Sequence, residues 1–158
     1  MVYTVTFNPA VDYIVHTKQL IAGATNRSDS EEIYFGGKGI NVSIVLSELG
    51  VKSKALGFVA GFTGEAIEKG VAEKGIDADF VHLNEGFSRI NVKIKSGEET
   101  ELNGQGPKIT DEAIRELYAK LDEIQDGDTL VLAGSIPSSL PADIYERILE
   151  RLSGKKIR

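Results

Sequence analysis

The sequence predicts an α/β fold in which a parallel, doubly wound sheet forms the core and a small β lid is added to it. Three observations lead to this prediction. Short continuous apolar runs are typical of strands buried on both faces. These runs alternate with segments that repeat apolar residues at helical spacing. Two further segments alternate apolar and polar residues, as strands do when only one side of their sheet is covered.

The first third of the chain predicts a strand, a hairpin and a helix, in that order. The apolar, β-branched run at 2–7 predicts a buried central strand. Residues 13–20 and 30–35 are strand-like and are separated by turn-forming residues, so they predict a hairpin. After Gly39, apolar residues recur at helical spacing until Gly50, which predicts a helix with a glycine at its C′ position.

The middle of the chain continues this alternation and then changes its period. Residues 54–61 predict a second buried strand, and 64–74 predict a helix that ends before Gly75. Residues 89–103 then alternate with a period of two, with a turn at Ser96-Gly97. This segment therefore predicts a second hairpin.

The last third predicts a helix, a strand and another helix. Thr110 is a candidate N-cap followed by two acidic residues, and Ile109 is placed to contact Ile114 as a hydrophobic staple. The continuous apolar run at 129–135 predicts a third buried strand. Pro141 is expected to open the final helix, since proline favours the first turn.

These elements divide into two parts. We assign residues 13–35 and 88–103 to the lid, because they carry the two predicted hairpins. We assign 1–12, 36–87 and 104–158 to the α/β core. The chain stops directly after a predicted helix, where an α/β pattern would supply another strand, so we expect it to hold only the N-terminal part of the fold.

Composition and charge exclude several classes of protein. The formal net charge is −6, from 24 acidic and 18 basic residues, which argues against nucleic acid or an anionic membrane as the main partner. A small anionic ligand would need a local basic cluster. The sequence contains no cysteine, which excludes disulfides, thiolate nucleophiles and cysteine-ligated zinc. The first apolar run breaks at Asn8 without a basic leader, so we expect neither a signal peptide nor a membrane span there, and a cytoplasmic protein.

A glycine-rich stretch, Gly36-Gly37-Lys38-Gly39, precedes the first predicted helix. It is not a Walker A loop, because Lys38 is not followed by serine or threonine, and its glycines do not have the spacing of a dinucleotide fingerprint. A glycine turn at a helix N-terminus can bring a ligand close to the backbone and favours anions. Lys38 would add a cation and Asn41 an amide. The alternative interpretation is a turn required only for packing.

Three polar residues outside this stretch are candidates for ligand binding. Asp12 follows the first strand, where a carboxylate can accept hydrogen bonds from sugar hydroxyls, although a loop aspartate is more often a turn residue. Arg89 and Asn91 lie on the same face of one predicted strand, so a guanidinium and an amide face the same volume. A solvated strand face explains that pair equally well.

The remaining candidates are weaker when each is taken alone. Asn103 lies at the end of the second hairpin, and Ser135 follows a buried strand. Ser135 has no identifiable histidine base, which leaves nucleophilic hydrolysis unsupported. His16 and His82 have no partners at metal-ligand spacing, so we predict no metal site.

Five of these stretches together resemble the ribokinase-like PfkB carbohydrate kinases, in the same order and across nearly the whole chain. The Asn-Pro-x-x-Asp start at 8–12 is similar to that of members that phosphorylate sugar phosphates. The stretches at 88–94 and 99–107 are most similar to the bacterial 1-phosphofructokinase branch. Tagatose-6-phosphate kinase is the runner-up. The five stretches are TFNPAVD (6–12), GGKGINV (36–42), SRINVKI (88–94), ETELNGQGP (99–107) and LAGSIPSSLP (132–141).

The resemblance implies a Rossmann-like core with a β lid that often joins two subunits as a homodimer. It also implies transfer of the ATP γ-phosphoryl group, with Mg²⁺, to the 6-hydroxyl of fructose 1-phosphate, which gives fructose 1,6-bisphosphate. Family members are longer, and the part that this chain lacks carries a Gly-Ala-Gly-Asp signature with the general base and most of the nucleotide site. We therefore expect no catalytic residue in this chain and no activity from it alone. A non-catalytic sugar-phosphate-binding or assembly module is the alternative.

The resemblance also assigns roles to residues that match the family's motifs. Asp12 is expected to hold sugar hydroxyls, and Arg89 with Asn91 to reach in from the lid. Arg27, Lys38 and Arg89 are the candidates for the substrate's phosphate, and Ser135 would lie near the phosphoryl acceptor. The full set of expected substrate-binding residues is Asp12, Arg27, Gly36, Gly37, Lys38, Asn41, Arg89, Asn91, Asn103 and Ser135.

Overall fold

Nine strands and four helices make up the computed structural model, which describes residues 1–158. In chain order they are β1 (Val2–Thr6), β2 (Ala10–His16), β3 (Ser30–Gly36), α1 (Lys38–Glu48), β4 (Ser53–Ala60), α2 (Gly61–Glu73), β5 (Asp77–Ala78), β6 (Val81–Leu83), β7 (Arg89–Ser96), β8 (Glu98–Asn103), α3 (Asp111–Asp122), β9 (Thr129–Leu132) and α4 (Ile144–Leu152). No helix is long and apolar enough to cross a membrane.

The first sheet, called the core sheet below, is entirely parallel. Its strand order is β5-β4-β1-β9, and β6 also pairs with β4. β5 pairs with β4 at Lys54 and Ala55, and β6 pairs with it further along, at Phe58 to Ala60, so the two short strands follow one another along one edge. The central position of β1, between β4 and β9, places its carboxyl end in the middle of the sheet.

Helices cover both faces of the core sheet, and β4 shows why. Leu56 and Phe58 point to one face, where they pack in a cluster with side chains of α3 and α4. Ala55 and Val59 point to the other face, where they pack with α1 and α2. Because side chains alternate along a strand, a run that is apolar at every position fills both cores. This confirms the predicted doubly wound α/β architecture.

The second sheet, called the lid sheet, has the order β3-β2-β7-β8. β2 and β7 are parallel, whereas each outer strand is antiparallel to its neighbour. One face packs against the core beside α2 through Val11, Phe35 and Ile90. A β-carbon at Gly70 of α2 would lie 1.9 Å from the Phe35 ring, so this glycine lets the lid approach the helix closely. The small second sheet is also as predicted.

Several predicted boundaries are wrong, among them the bounds of β2, α2, β9 and α4. The first lid strand begins earlier than expected, at Ala10, because Ala10 pairs with Gly36 across β3. Asp12 therefore lies within a strand of the lid sheet and not in a loop after β1. The last helix begins later than expected, at Ile144, and the turn before it is closed by a hydrogen bond from the Ile144 N–H to the Pro141 carbonyl at 3.1 Å.

Among the other local predictions, the cap of α3 and two helix ends are confirmed, whereas one strand is shorter than predicted and two strands were not predicted. Thr110 caps α3 as predicted, since its hydroxyl accepts a hydrogen bond from the Ala113 N–H at 3.2 Å. Gly50 and Gly75 have φ angles of 73° just after α1 and α2, which confirms the two predicted helix ends. β9 ends at Leu132, so the residues after it belong to a loop. β5 and β6 were not predicted, because two and three residues are too short to show a period.

Candidate functional site

The strand order reverses at β1, because β4 lies on one side of it and β9 on the other. In open α/β sheets, ligands bind beyond the carboxyl ends of the strands at such a switch point. A small cleft of about 40 Å³ lies there. It is lined by Thr6, Phe7, Asn8, Gly37, Lys38, Arg89, Ala133, Gly134 and Ser135.

The glycine turn is shaped first by contacts with β1. A β-carbon at Gly37, where φ is 143°, would lie 2.5 Å from Thr6 Cγ2, and one at Gly39 would lie 2.5 Å from Thr6 Oγ1. The Thr6 hydroxyl accepts a hydrogen bond from the Ile40 N–H at 3.0 Å and so holds the first turn of α1. Packing therefore explains these two glycines without a ligand. Gly37 supplies no side-chain cap to the helix.

Gly36 has different neighbours. A β-carbon there would lie 3.3 Å from Asn41 Oδ1 and 3.6 Å from Asp12 Oδ2. The predicted partners Gly36, Asn41 and Asp12 are thus close together, beside the cleft. A larger residue at 36 would crowd the carboxylate and the amide.

Asp12 and Asn91 form a hydrogen-bonded pair on one face of the lid sheet. The Asn91 Nδ2 group donates to Asp12 Oδ1 at 2.8 Å, and the two residues are in register on adjacent strands. The carboxylate can only accept, so it fixes which end of the amide faces it. Asn91 is only 7% exposed, and its Oδ1 atom is buried without a partner. Such an atom requires a donor, because a buried acceptor without one costs free energy.

Two unpaired cations line the cleft. The Arg89 Nε–H donates to the Asn8 carbonyl at 3.1 Å, which fixes the side chain while its terminal nitrogens make no hydrogen bond within the chain. Lys38 is exposed at the start of α1. Neither cation lies within salt-bridge distance of a carboxylate, whereas Lys54, Lys93 and Lys120 each do. This is local positive charge in an acidic chain.

Asn8 connects the cleft to both sheets, and sequence reasoning did not select it as a site residue. Its carbonyl holds Arg89, and its Nδ2 group donates to the Gln105 carbonyl at 2.7 Å. A β-carbon at Gly106 would lie 2.3 Å from Asn8 Oδ1, so only glycine fits there. Two signals were available, its position directly after the first buried strand and its place at the head of the Asn-Pro-x-x-Asp motif.

The remaining predicted residues are spread out. Ser135 is exposed and lines the cleft. Asn103 is in register with Asn91 but lies on the edge strand, where its Nδ2 group donates to Glu101 Oε2 at 3.2 Å. Arg27 lies in the loop beyond His16, at the end of the β2–β3 pair away from Gly36. Six residues of strand, or about 20 Å, separate those ends, so one chain does not bring Arg27 to the cleft.

The lid face that carries Asp12 continues into a hydrogen-bonded chain of titratable groups. The Tyr34 hydroxyl bonds to Glu32 Oε2 at 2.5 Å, and His16 Nε2 lies 2.7 Å from Glu32 Oε1. These two hydrogen bonds, that of Tyr34 first, lower the pKa of Glu32. No three His, Asp or Glu side chains converge to hold a metal ion.

An open parallel α/β sheet with polar groups at its switch point and a separate small β sheet beside it is a ribokinase-like fold. The particular family follows from the whole chain. Residues 5–156 match the family described as pfkB family carbohydrate kinase, and the chain belongs to that family.

Named relatives agree with this assignment. The chain is 52% identical to 1-phosphofructokinase of Bacillus subtilis (strain 168) over 158 residues, which is 100% of this chain and 52% of the relative. It is 39% identical over the same 158 residues to D-tagatose-1-phosphate kinase of Bacillus licheniformis, of which it again covers 52%. A structure solved as a phosphofructokinase candidate from Staphylococcus aureus superimposes with a TM-score of 0.93 at 40% identity, over 100% of this chain and 51% of that one. The chain thus spans about half the length of the relatives it matches.

Proposed function

We propose that this chain forms the sugar-phosphate site of an ATP-dependent kinase that phosphorylates fructose 1-phosphate on its 6-hydroxyl, giving fructose 1,6-bisphosphate. The observation that carries the proposal is that two unpaired cations, Lys38 and Arg89, line the cleft, while the Asp12–Asn91 pair lies next to Gly36, the residue before the cleft-lining Gly37. Cations suit a phosphate, and the carboxylate–amide pair suits hydroxyl groups. A sugar phosphate offers both.

Lys38 and Arg89 are the proposed phosphate ligands. The Arg89 guanidinium is already fixed through its Nε–H, so little side-chain freedom is lost when the terminal nitrogens bind an anion. Lys38 adds a flexible point charge beside the helix N-terminus of α1, which itself favours an anion. Arg27 lies too far away within one chain to join them.

Asp12 and Asn91 are the proposed hydroxyl ligands. The second oxygen of Asp12 is free to accept from a sugar hydroxyl, because only Oδ1 is used by Asn91. The unpartnered Asn91 oxygen can accept another. Gly36 leaves room beside this pair, and Asn41 offers its amide on the same side. Asn103 and Ser135 are proposed to complete the site, with Ser135 on the side of the substrate's phosphate, beside Lys38 and Arg89, and not at the acceptor hydroxyl expected from the resemblance.

We favour fructose 1-phosphate as the substrate because of the activities for which two similar proteins are named. 1-Phosphofructokinase and D-tagatose-1-phosphate kinase both act on a ketohexose with its phosphate on C1. Fructose and tagatose differ only in configuration at C4, so tagatose 1-phosphate is the next candidate. Tagatose 6-phosphate remains the alternative with the phosphate at the other end. Activity of full-length protein on the three compounds distinguishes them.

Catalysis needs parts that these residues do not form. Phosphoryl transfer requires the nucleotide, the metal ion and the nucleophile to be positioned together. We therefore expect the 158-residue chain to bind the sugar phosphate without transferring phosphate to it. A cytoplasmic location accompanies the proposal, since ATP and sugar phosphates are found there. The alternative is a non-catalytic binding module, and an in-frame gene continuation with Gly-Ala-Gly-Asp would exclude it.

A homodimer through the lid also belongs to the proposal. On the lid face opposite Asp12, an apolar row crosses all four strands in register, and its ends are exposed. The row consists of Ile33, Tyr13, Val92 and Leu102. Both edge strands are acidic, with Glu31 and Glu32 on β3 and Glu98, Glu99 and Glu101 on β8. Like charges oppose edge-to-edge pairing, so face-to-face packing of two lids is favoured.

Isothermal titration of the chain with fructose 1-phosphate, fructose and inorganic phosphate tests the binding proposal. Arg89→Ala should weaken fructose 1-phosphate binding by about 10- to 100-fold, the usual range for a charged hydrogen bond, and leave fructose unchanged. Arg115→Ala, in an exposed pair with Glu112 on α3, is the matched control and should change neither. Equal effects of the two variants would contradict the proposed phosphate site.

A coupled assay for ADP tests the catalytic part. The isolated chain, with ATP, Mg²⁺ and fructose 1-phosphate, should give no turnover above the rate without protein. Turnover comparable to that of a full-length family member would overturn this expectation and place the whole machinery within these residues.

A further inference from the structure

We infer that Tyr145, which lies outside the cleft, is a positioning residue whose hydroxyl orients the Gly134–Ser135 peptide so that the Ser135 amide N–H faces the substrate's phosphate. This inference rests on the proposed function and adds a residue that no sequence motif pointed to. It concerns one hydrogen bond, from the Tyr145 hydroxyl to the Gly134 carbonyl at 3.0 Å.

The Tyr145 ring is held firmly by the core. It stacks on Phe7 with ring centroids 5.1 Å apart, and Phe7 in turn stacks on Phe58 at 6.1 Å. Tyr145 belongs to the first turn of α4, which packs on the core sheet. Burial raises the pKa of Tyr145, so its hydroxyl stays protonated and able to donate over the whole working range of pH. The position of the donor is therefore fixed.

The acceptor, in contrast, needs an external restraint. Gly134 has a φ of 114°, in a region that glycine enters freely and other residues rarely do. It follows β9 and belongs to no helix or strand. A glycine in such a loop loses more conformational entropy on being ordered than any other residue, so a hydrogen bond to its carbonyl decides which orientation is kept.

The geometry of the peptide bond between Gly134 and Ser135 determines the direction of the Ser135 N–H. In a trans peptide the carbonyl and the following N–H point in opposite directions. With the Gly134 carbonyl turned to α4, the Ser135 N–H turns away from α4. That N–H makes no hydrogen bond within the chain, and Gly134 and Ser135 both line the cleft. A β-carbon at Gly134 would lie 3.9 Å from Lys38 Cβ, so the turn faces the proposed phosphate ligand.

The test compares Tyr145→Phe with Tyr118→Phe in the 158-residue chain. Tyr145→Phe removes the hydroxyl and keeps the stacked ring. Tyr118 of α3 packs against the same core, and its hydroxyl makes no hydrogen bond, which makes it a matched control. Tyr145→Phe should weaken fructose 1-phosphate binding by about 5- to 10-fold, the value of roughly one hydrogen bond, and leave fructose binding unchanged. Tyr118→Phe should change neither.

A second measurement observes the Ser135 amide directly. In ¹⁵N-labelled wild-type chain, inorganic phosphate should shift the Ser135 amide proton downfield, and this shift should be absent in Tyr145→Phe. If the wild-type chain binds fructose 1-phosphate and Tyr145→Phe binds it equally well, this inference is overturned while the proposed function stands. The same holds if phosphate binds to the wild-type chain without shifting the Ser135 amide proton. If the wild-type chain binds neither fructose 1-phosphate nor phosphate, the proposed function fails together with it.

Discussion

The two sheets of this protein differ in residue pattern and are stabilised very differently. The core sheet is covered on both faces by its own helices, and Val5, Leu56 and Phe58 are almost completely buried in it. The lid sheet packs on the core near one end only. Leu102 is 73% exposed and Ile33 is 58% exposed. The core sheet is thus covered on both faces, whereas the lid sheet leaves large apolar side chains exposed.

The binding groups are divided between the sheets in a corresponding way. The core sheet contributes backbone and the glycine turn after β3, held by Thr6. The lid contributes the side chains that would recognise a ligand, Asp12, Arg89 and Asn91. Three of the proposed recognition side chains therefore lie on the less buried sheet, and Lys38 and Asn41 of α1 lie on the core side. The predictions below test this contrast, beginning with the largest effect.

Gly57→Ala in the core sheet should have the largest effect on stability. The added β-carbon would lie 2.0 Å from the Thr6 carbonyl oxygen, and φ at Gly57 is 153°. Strand β1 must move to accommodate it, so the free energy of unfolding in urea should fall by about 3 kcal/mol or more. Gly97→Ala in the lid hairpin, with φ 92° and no atom within 4 Å, should cost about 1 kcal/mol. Similar losses would show that both sheets are equally constrained.

Truncation of an apolar side chain should also have different effects on stability in the core and in the lid sheet. Ile148 of α4 is 0% exposed, and Ile148→Ala should cost about 2–5 kcal/mol in urea denaturation. Leu102→Ala should change the free energy of unfolding of the monomer by about 0.5 kcal/mol or less, because little is buried there. It should instead weaken self-association in sedimentation equilibrium. A large stability loss with Leu102→Ala and unchanged association would contradict the free apolar face.

The same contrast explains how much could be predicted from the sequence. Strand and helix periods, Gly50 and Gly75 are local signals, and they sufficed for the two hairpins and for the core elements other than β5 and β6. The glycines at 37 and 39 suggested a ligand, but their geometry depends on Thr6, more than 30 positions earlier in the chain.

Two other features of the site also depend on distant contacts. Asn8 contacts Arg89 and Gln105, 81 and 97 positions away. No pattern within one segment contains such pairs. Arg27 illustrates the opposite error. The sequence analysis grouped it with Lys38 and Arg89, but it lies at the far end of the β2–β3 pair from Gly36.

Asn8→Ala should have an intermediate effect, because Asn8 joins the two sheets. Loss of the hydrogen bond to the Gln105 carbonyl should lower the free energy of unfolding by about 1 kcal/mol and weaken fructose 1-phosphate binding by several-fold. Asn84→Ala is the control, since Asn84 is an exposed loop residue without a side-chain hydrogen bond. If the two variants behave alike in titration calorimetry, Asn8 does not couple the lid to the cleft.

The smallest predicted effect concerns acid pH. Two hydrogen bonds from Arg151 of α4 to Asp122 of α3, at 2.8 and 2.6 Å, lower the pKa of Asp122 below its usual 3.8. A depressed folded-state pKa adds stability above the unfolded-state value, and this is lost as the pH falls below about 4. Because the pair is exposed, Asp122→Asn should remove only a few tenths of a kcal/mol of this pH dependence.

Glu32 of the lid offers the matching case, with a different cause. Its pKa is lowered mainly by the hydroxyl of Tyr34, a neutral donor, and next by His16. Stability from Glu32 should also fade as the pH drops through the lowered pKa. Salt screens charge pairs but hardly affects a neutral hydrogen bond. Sodium chloride at about 1 M should therefore suppress the effect of Asp122→Asn on acid unfolding, whereas the effect of Tyr34→Phe should persist. If salt suppresses the effects of both variants equally, His16 and not Tyr34 is the main cause of the lowered pKa of Glu32.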